Sequence, residues 1–243
     1  MKWLLALFGF LKFGKVLTTS ATMLLSIVTY AFFFGWWYAV GFVLLIFVHE
    51  MGHYIAAKQR GLDVGAPTFI PFVGAWIQLK QLPHDVETEA YVGMGGPLLG
   101  SIGALACYFL ARATDSDLLL ALAYSGFFLN LFNLIPISPF DGGRITAIIS
   151  PRVWLIGVPM LIGLFFYQPS PLLVLMALLA VPQVIKAWKY DAAAPENRRY
   201  YGVATAIRIN YALAYLGLLM FLAVITFEVH EMLAHIRVSP SAS

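Results

Sequence analysis

Seven stretches of this chain are apolar over roughly the length a helix needs to cross a bilayer: Leu17 to Phe34, Trp37 to Ala57, Tyr91 to Ala111, Leu118 to Ile137, Val153 to Tyr167, Leu172 to Trp188 and Ile207 to Glu228. About 20 helical residues span the hydrocarbon layer. In lipid every backbone N–H and C=O must be satisfied within the fold, which favours helices. The fifth and sixth runs are short and are joined by Gln168-Pro169-Ser170-Pro171, a turn signal that predicts a helical hairpin. The count is therefore six or seven spans, and the expected fold class is an all-α polytopic membrane protein. Composition agrees. The 243 residues include 15 Lys/Arg and 12 Asp/Glu, or 11% charged, against 61% apolar. Soluble domains carry about 25% charged residues, so this chain cannot build a water-facing surface of the usual kind. Intrinsic disorder, a collagen and a nucleic-acid-binding domain are excluded. A net charge of +3 is too small for binding driven by counterion release, and it suits loops facing an anionic leaflet. The single cysteine, Cys107, can form no internal disulfide.

The basic residues set an orientation. With seven spans and a cytoplasmic N-terminus, thirteen of the 15 Lys/Arg fall on the cytoplasmic side, and Arg112 and Arg237 on the other. Fusing the fifth and sixth spans would move Lys186 through Arg208 to the wrong side. The expectation is a multi-pass protein of the cell (inner, cytoplasmic) membrane. Residues 1–16 resemble a signal peptide, but Lys12 and Lys15 close the apolar stretch and no small-residue cleavage site follows, so an interfacial N-terminal segment is expected. Residues 17–229 then form one integral domain with a core at about 37–149, and 230–243 a C-terminal tail. The gaps Lys58 to Ala90 and Lys189 to Ala206 are too short for a separate soluble domain.

Ionisable residues inside apolar runs carry the chemical information, because each costs at least about 2.5 kcal/mol at the bilayer centre. His49, Glu50 and His53 stand together in Phe47-Val48-His49-Glu50-Met51-Gly52-His53-Tyr54, an H-E-x-x-H pattern. Helical residues four apart share a face, so both imidazoles can bind one metal. Glu50 lies on the same sector and can take a proton from a metal-activated water. A catalytic zinc site needs a third protein ligand. Asp141 qualifies: it follows the fourth span in Asn133-Leu134-Ile135-Pro136-Ile137-Ser138-Pro139-Phe140-Asp141-Gly142-Gly143-Arg144, on the same side as the histidines. Pro136 and Pro139 interrupt the helix before it, and irregular backbone at membrane depth marks a polar or protein-enclosed cavity. Taken alone, Asp141-Gly142 also reads as an ordinary turn.

The two segments together resemble the site-2 protease family of intramembrane zinc metalloproteases, peptidase family M50. That family pairs H-E-x-x-H in one transmembrane helix with N-x-x-P-x-x-x-x-D-G two spans later, and both occur here: His49, Glu50 and His53, then Asn133, Pro136, Asp141 and Gly142. The resemblance covers about Trp37 to Ile149. It implies one zinc ion held by His49, His53 and Asp141, with Glu50 as catalytic base and Asn133 as a substrate-binding or transition-state-stabilising residue. It also implies hydrolysis of peptide bonds within transmembrane segments of other membrane proteins, as in regulated intramembrane proteolysis. The bilayer and such a substrate are the expected partners, and nucleic acid is not.

Residues Pro67 to Leu79 are rich in β-branched and aromatic side chains and broken by Pro and Gly. They resemble the family's membrane-associated β-segment between the second and third spans, which is thought to hold substrate by edge pairing. From sequence, an amphipathic interfacial loop is an equal alternative. Gly96, Gly100 and Ala104 recur every four residues and predict a close-packed face on the third span that supplies no ligand. His230 and His235 are five apart and diverge by about 140° on a helix, so a solvated terminus is the better reading. His84 falls in a polar loop. Two rival functions remain. A metal-binding or transport protein would spread polar residues along a route across several spans, and a non-cleaving helix-binding scaffold has no need of Glu50.

Overall fold

The computed structural model describes residues 2–72, 74–79 and 83–238. Met1 lies outside them, as do Val73 and residues 80–82 of the segment between the second and third spans and 239–243 of the tail. Every apolar run folds as a helix. Five are long and apolar enough to cross a bilayer: α1 (Lys2–Phe34), α2 (Trp36–Gln59), α3 (Val86–Thr114), α7 (Pro171–Trp188) and α9 (Thr205–Val238). Two are shorter, α4 (Asp117–Asn133) and α6 (Trp154–Tyr167), and two brief helices intervene, α5 (Asp141–Ala147) and α8 (Pro195–Tyr201). α1 runs unbroken through residue 16 and α9 through residue 230. The protein is an all-helical polytopic membrane fold with one β-hairpin.

Local chemistry places the boundaries. α3 begins at Val86, more than a turn before the apolar run, because the Asp85 carboxylate caps it by accepting from Thr88 N at 2.7 Å. Its polar first turn is used. Glu87 pairs with Arg60 at 3.2 Å, and Glu89 accepts from the Tyr200 hydroxyl at 2.7 Å. Burial and the Glu89 carboxylate push the Tyr200 phenol above its usual range, so it stays the donor. Ser116 caps α4 and Ser170 caps α7, the latter inside the turn that separates α6 from α7.

The two ends of the bundle differ. At one, Lys186 lies over the rings of Trp154 and Tyr201, at 5.8 and 5.6 Å. There Arg208 donates to the carbonyls of Ile148, Ile149 and Tyr201 at 2.7, 2.9 and 2.5 Å. At the other, Phe32 and Trp37 of the α1–α2 turn and Phe166 and Tyr167 of the α6–α7 turn stand outward at 89%, 80%, 80% and 85% exposure. Large aromatic side chains projecting from helix ends are what the interfacial belt of a membrane protein looks like.

The segment after α2 is an antiparallel hairpin of β1 (Val64–Ile70) and β2 (Gly74–Leu79), with Pro67 opposite Ile77 and Ile70 opposite Gly74. It lies along α1. The Thr19 hydroxyl donates to Pro67 O at 2.6 Å, Phe69 N donates to the Thr22 hydroxyl at 3.2 Å, and Phe72 N donates to the Tyr30 hydroxyl at 3.0 Å. From Thr19 to Tyr30 a helix advances ~16 Å, and from Pro67 to Phe72 a strand advances ~16 Å, so the two stay in step. Hydroxyls on α1 thus supply what water cannot inside a membrane, partners for the outer edge of β1. The hairpin tip packs by Phe72 on Tyr30 and Phe33, near the aromatic end of α1.

Candidate metal centre

α2 carries His49, Glu50 and His53, all buried, at 3%, 7% and 6% exposure. Their immediate surroundings come from α3. Gly52 of α2 meets the Gly95 backbone of α3 so closely that neither position has space for a Cβ. At the next residue of α3 a Cβ on Gly96 would strike the His53 ring, and one turn further along that face a Cβ on Gly100 would strike the Asn130 amide. Ala104 then meets Gly126 of α4. The stripe of small residues expected on this span is the floor on which the metal-ligand candidates lie, and it lets three helices approach to near backbone contact.

Asp141 reaches the same point from elsewhere. α4 ends at Asn133, and the chain then turns back irregularly through Pro136 and Pro139 before α5 begins at Asp141. The turn lies so close over the start of α5 that a Cβ at Gly142 would meet the carbonyls of Leu134 and Ile135, and one at Gly143 the backbone of Ile137 and Ser138. Side chains from later helices hold this segment. The Tyr215 hydroxyl donates to Leu134 O at 2.6 Å, the Trp154 indole N–H donates to Gly143 O at 2.7 Å, and Ser138 N donates to Gln183 Oε1.

The three candidate ligand atoms form a near-equilateral triangle. His49 Nε2 and His53 Nε2 are 3.2 Å apart, and each lies within 3.1 and 3.2 Å, respectively, of Asp141 Oδ2. A tetrahedral ion with ligand bonds of ~2.0–2.1 Å places its ligands about 3.3 Å apart. The hydrogen-bond network also settles the tautomers. His53 Nδ1 faces the Val92 carbonyl at 2.7 Å, which can only accept, so Nδ1 carries the proton. His49 Nδ1 faces Asn130 Oδ1 at 2.8 Å, and the Asn130 amide is oriented because its Nδ2 donates to Gly126 O at 2.7 Å. With both rings neutral, as metal ligation requires, each Nε2 presents a lone pair toward the Asp141 carboxylate oxygen. Three lone-pair donors converging in a buried site repel one another unless a cation lies among them. Two imidazoles and a carboxylate suit zinc, and among the described residues these three form a group able to hold a metal.

Sequence reasoning missed Asn130 and the acceptor role of Val92. Asn130 is buried at 1% in the middle of an apolar span, and a polar residue at that depth was the available signal. Asn133, one turn further, is half-buried and donates from Nδ2 to Leu129 O at 3.1 Å. Glu50 lies buried on α2 directly after His49. His84 is exposed, and His230 lies beside the Tyr124 ring at 5.5 Å on α9, apart from the cluster.

Residues 37–116 match the family model described as peptidase family M50. A zinc metalloprotease of Methanocaldococcus jannaschii is 33% identical over 124 residues, covering 47% of this chain and 36% of that protein. A probable chloroplastic zinc metalloprotease of Arabidopsis thaliana is 28% identical, covering 32% of this chain and 16% of the relative. Its counterpart from Oryza sativa is 27% identical, covering 44% and 26%. The chain thus spans about a third or less of the length of these relatives. Among solved structures, the site-2 protease from Methanocaldococcus jannaschii aligns with a TM-score of 0.45 at 23% identity, covering 76% of this chain and 89% of that one. Residues 37–116, which hold His49, Glu50 and His53, are thus similar to peptidase family M50, and the chain is similar to the zinc metalloproteases that these comparisons name.

Proposed function

We propose that this protein is an intramembrane zinc metalloprotease that hydrolyses peptide bonds in transmembrane segments of other membrane proteins. The observation that carries the reading is the triangle of Nε2, Nε2 and Oδ2 atoms, with both imidazole tautomers fixed, beside the buried carboxylate of Glu50. His49, His53 and Asp141 hold the ion. When bound, zinc supplies Lewis-acid chemistry, polarising a carbonyl and making a water acidic near neutral pH. The Glu50 carboxylate takes the proton from the attacking water and delivers it to the leaving amine nitrogen. Asn130 and the Val92 carbonyl keep the two imidazoles in ligating orientation throughout. The Asn133 amide, in this reading, contacts substrate.

The catalytic core is about 37–149 within one membrane domain of 17–229, with 1–16 at the interface and 230–243 as a tail. The N-terminus and the charged end of the bundle face the cytoplasm, in the cell membrane. A substrate helix hides its carbonyls in its own hydrogen bonds, so it must unwind locally, and helix-breaking residues near its cleavage site are expected. The fold suits regulated intramembrane proteolysis of membrane-tethered proteins.

Glu50→Gln tests the reading. With the purified protein and a transmembrane model substrate, cleavage should fall at least ~100-fold, the scale of a lost general base, while zinc content stays at the wild-type value. Cleavage unchanged by the substitution refutes the protease assignment. A metal transporter or a helix-binding scaffold would keep its function in this variant.

A further inference from the structure

A cavity of about 480 Å³ has a lining that includes none of His49, His53 and Asp141. It is a groove between α2, α3 and α9, floored by the small residues Gly52, Ala56, Gly95 and Ala214 and walled by Leu98, Leu99 and Ile102. Leu98 and Ile102 are 48% and 61% exposed, so one side of the groove is open to the bilayer. The close approach of α2 and α3 at Gly52 and Gly95 forms its floor. The volume falls within the usual range for a bound organic ligand.

The groove is polar at one end. Gln59, Tyr91, Asn210 and Tyr211 line the mouth, which belongs to the charged end of the bundle, where α2 stops and α3 and α9 start. The Tyr91 hydroxyl donates to Gln59 Oε1 at 2.6 Å, and the Arg60 guanidinium lies over the Tyr91 ring at 4.3 Å. Tyr211 of α9 lines the same mouth. Arg60 Nη2 donates to Glu87 at 3.2 Å, and a guanidinium has five N–H donors in all. From Tyr91 the groove descends along α3 to Ile102, ~16 Å deeper. An apolar channel of that depth, opening at the interface beside a cation and two phenols, matches an acyl chain below a phosphodiester and does not match a bare ion or a polar metabolite.

We propose that this groove is a structural phospholipid site, with one acyl chain against Gly52, Gly95 and Leu99 and the lipid phosphate held by Arg60 with Tyr211. Arginine suits the role because its planar fork meets phosphate oxygens in pairs. Glu87 sets the headgroup preference. A carboxylate beside the phosphate position favours a headgroup able to donate hydrogen bonds, an amine or hydroxyl, over quaternary choline. The site is distinct from the metal centre, yet its floor residues Gly52 and Gly95 directly precede His53 and Gly96, so the occupant backs the helix pair that positions a metal ligand. This assignment stands whether or not the protein is a protease.

Native mass spectrometry of the purified full chain, offered phosphatidylethanolamine, phosphatidylcholine and a glucosyl diacylglycerol together, tests it. Wild type should retain one phosphatidylethanolamine in preference to the choline lipid and to the phosphate-free glycolipid. Arg60→Gln should lower retention about tenfold or more, since hydrogen bonds to charged groups contribute ~1.5–3 kcal/mol each. Ala214→Trp, which fills the groove from α9, should abolish it. Inorganic phosphate should not displace the lipid. Helical circular dichroism and gel filtration establish that each variant is folded, and either folded variant suffices. Equal retention of the glycolipid, unchanged retention in folded Arg60→Gln, displacement by free phosphate, or crosslinking from Leu98 to a second protein chain instead of lipid would overturn the proposal.

Discussion

At the scale of single residues, the metal centre is organised by what each imidazole does with its far nitrogen. Asn130 holds His49 in one tautomer and the Val92 carbonyl holds His53. Losing such an outer partner typically costs 10–100-fold in metal affinity. Asn130→Ala should therefore weaken zinc binding by a factor on the order of 10–100, while Asp141→Ala removes a proposed ligand and should leave the purified protein without stoichiometric zinc. Competition with a chelator of known affinity and metal analysis distinguish the two. Unchanged zinc content in Asp141→Ala would remove the third ligand. Glycine positions give a second contrast. A Cβ at Gly96 strikes the His53 ring, whereas a Cβ at Gly163 on α6 meets nothing within 4 Å. Gly96→Ala should lower both zinc affinity and melting temperature, with overpacking costing about 1–3 kcal/mol. Gly163→Ala should be neutral or raise stability by up to ~1 kcal/mol, the helix preference for alanine. Thermal unfolding in detergent, with and without chelator, measures each effect. His49, Glu50 and His53 were legible as candidates because a helix fixes the relation of residues four apart. Asn130 was not, because its importance depends on which neighbour α3 and α2 bring to it.

At the scale of elements, the hairpin and α1 depend on one another. β1 lies against the apolar span of α1, and Tyr30 accepts from Phe72 N while Thr22 accepts from Phe69 N. Tyr30→Phe keeps the ring packing on Phe42 and Phe72 and removes the acceptor alone. The expected loss is about 1–3 kcal/mol, the cost of an orphaned buried donor. Faster hydrogen exchange confined to the hairpin tip should accompany it, and exchange equal to wild type would show that Phe72 N has another partner. The short β-segment after α2 could be read in outline, since Pro67 to Leu79 is β-branched, aromatic and broken by Pro and Gly. Its pairing register and its cover could not, because Thr19, Thr22 and Tyr30 look like ordinary residues of an apolar span until α1 is laid against β1. α3 starts ahead of its apolar run for a related reason. Apolarity marks the part of a helix inside lipid, and the Asp85 cap with Glu87 and Glu89 extends it by more than a turn beyond that region.

At the scale of the whole molecule, the proposed zinc joins segments far apart in sequence, α2 through His49 and His53 and α5 through Asp141. A ligand that binds the folded state alone stabilises it by about 2.7 kcal/mol at a hundredfold excess over its dissociation constant. Chelation should thus lower the melting temperature of the wild type and leave that of Asp141→Ala unmoved, as read by scanning fluorimetry, and equal shifts in both would place the metal elsewhere. The helical, membrane-spanning character and the count of apolar helices followed from sequence alone, because a helix satisfies its own backbone and needs only length and apolarity to be recognised. The identities of the candidate ligands followed as well, because ionisable groups are conspicuous against so little charge. The tertiary structure decided how they meet. Nothing local relates Asp141 to His53, 88 positions apart in the chain. The relation comes from glycines at 52, 95, 96 and 100 that let α2, α3 and α4 close to near backbone contact, and from Trp154, Tyr215 and Arg208, which hold the α5 segment from beyond the motif. Those are contacts between distant residues, and a sequence read one window at a time contains no measure of distance across the fold.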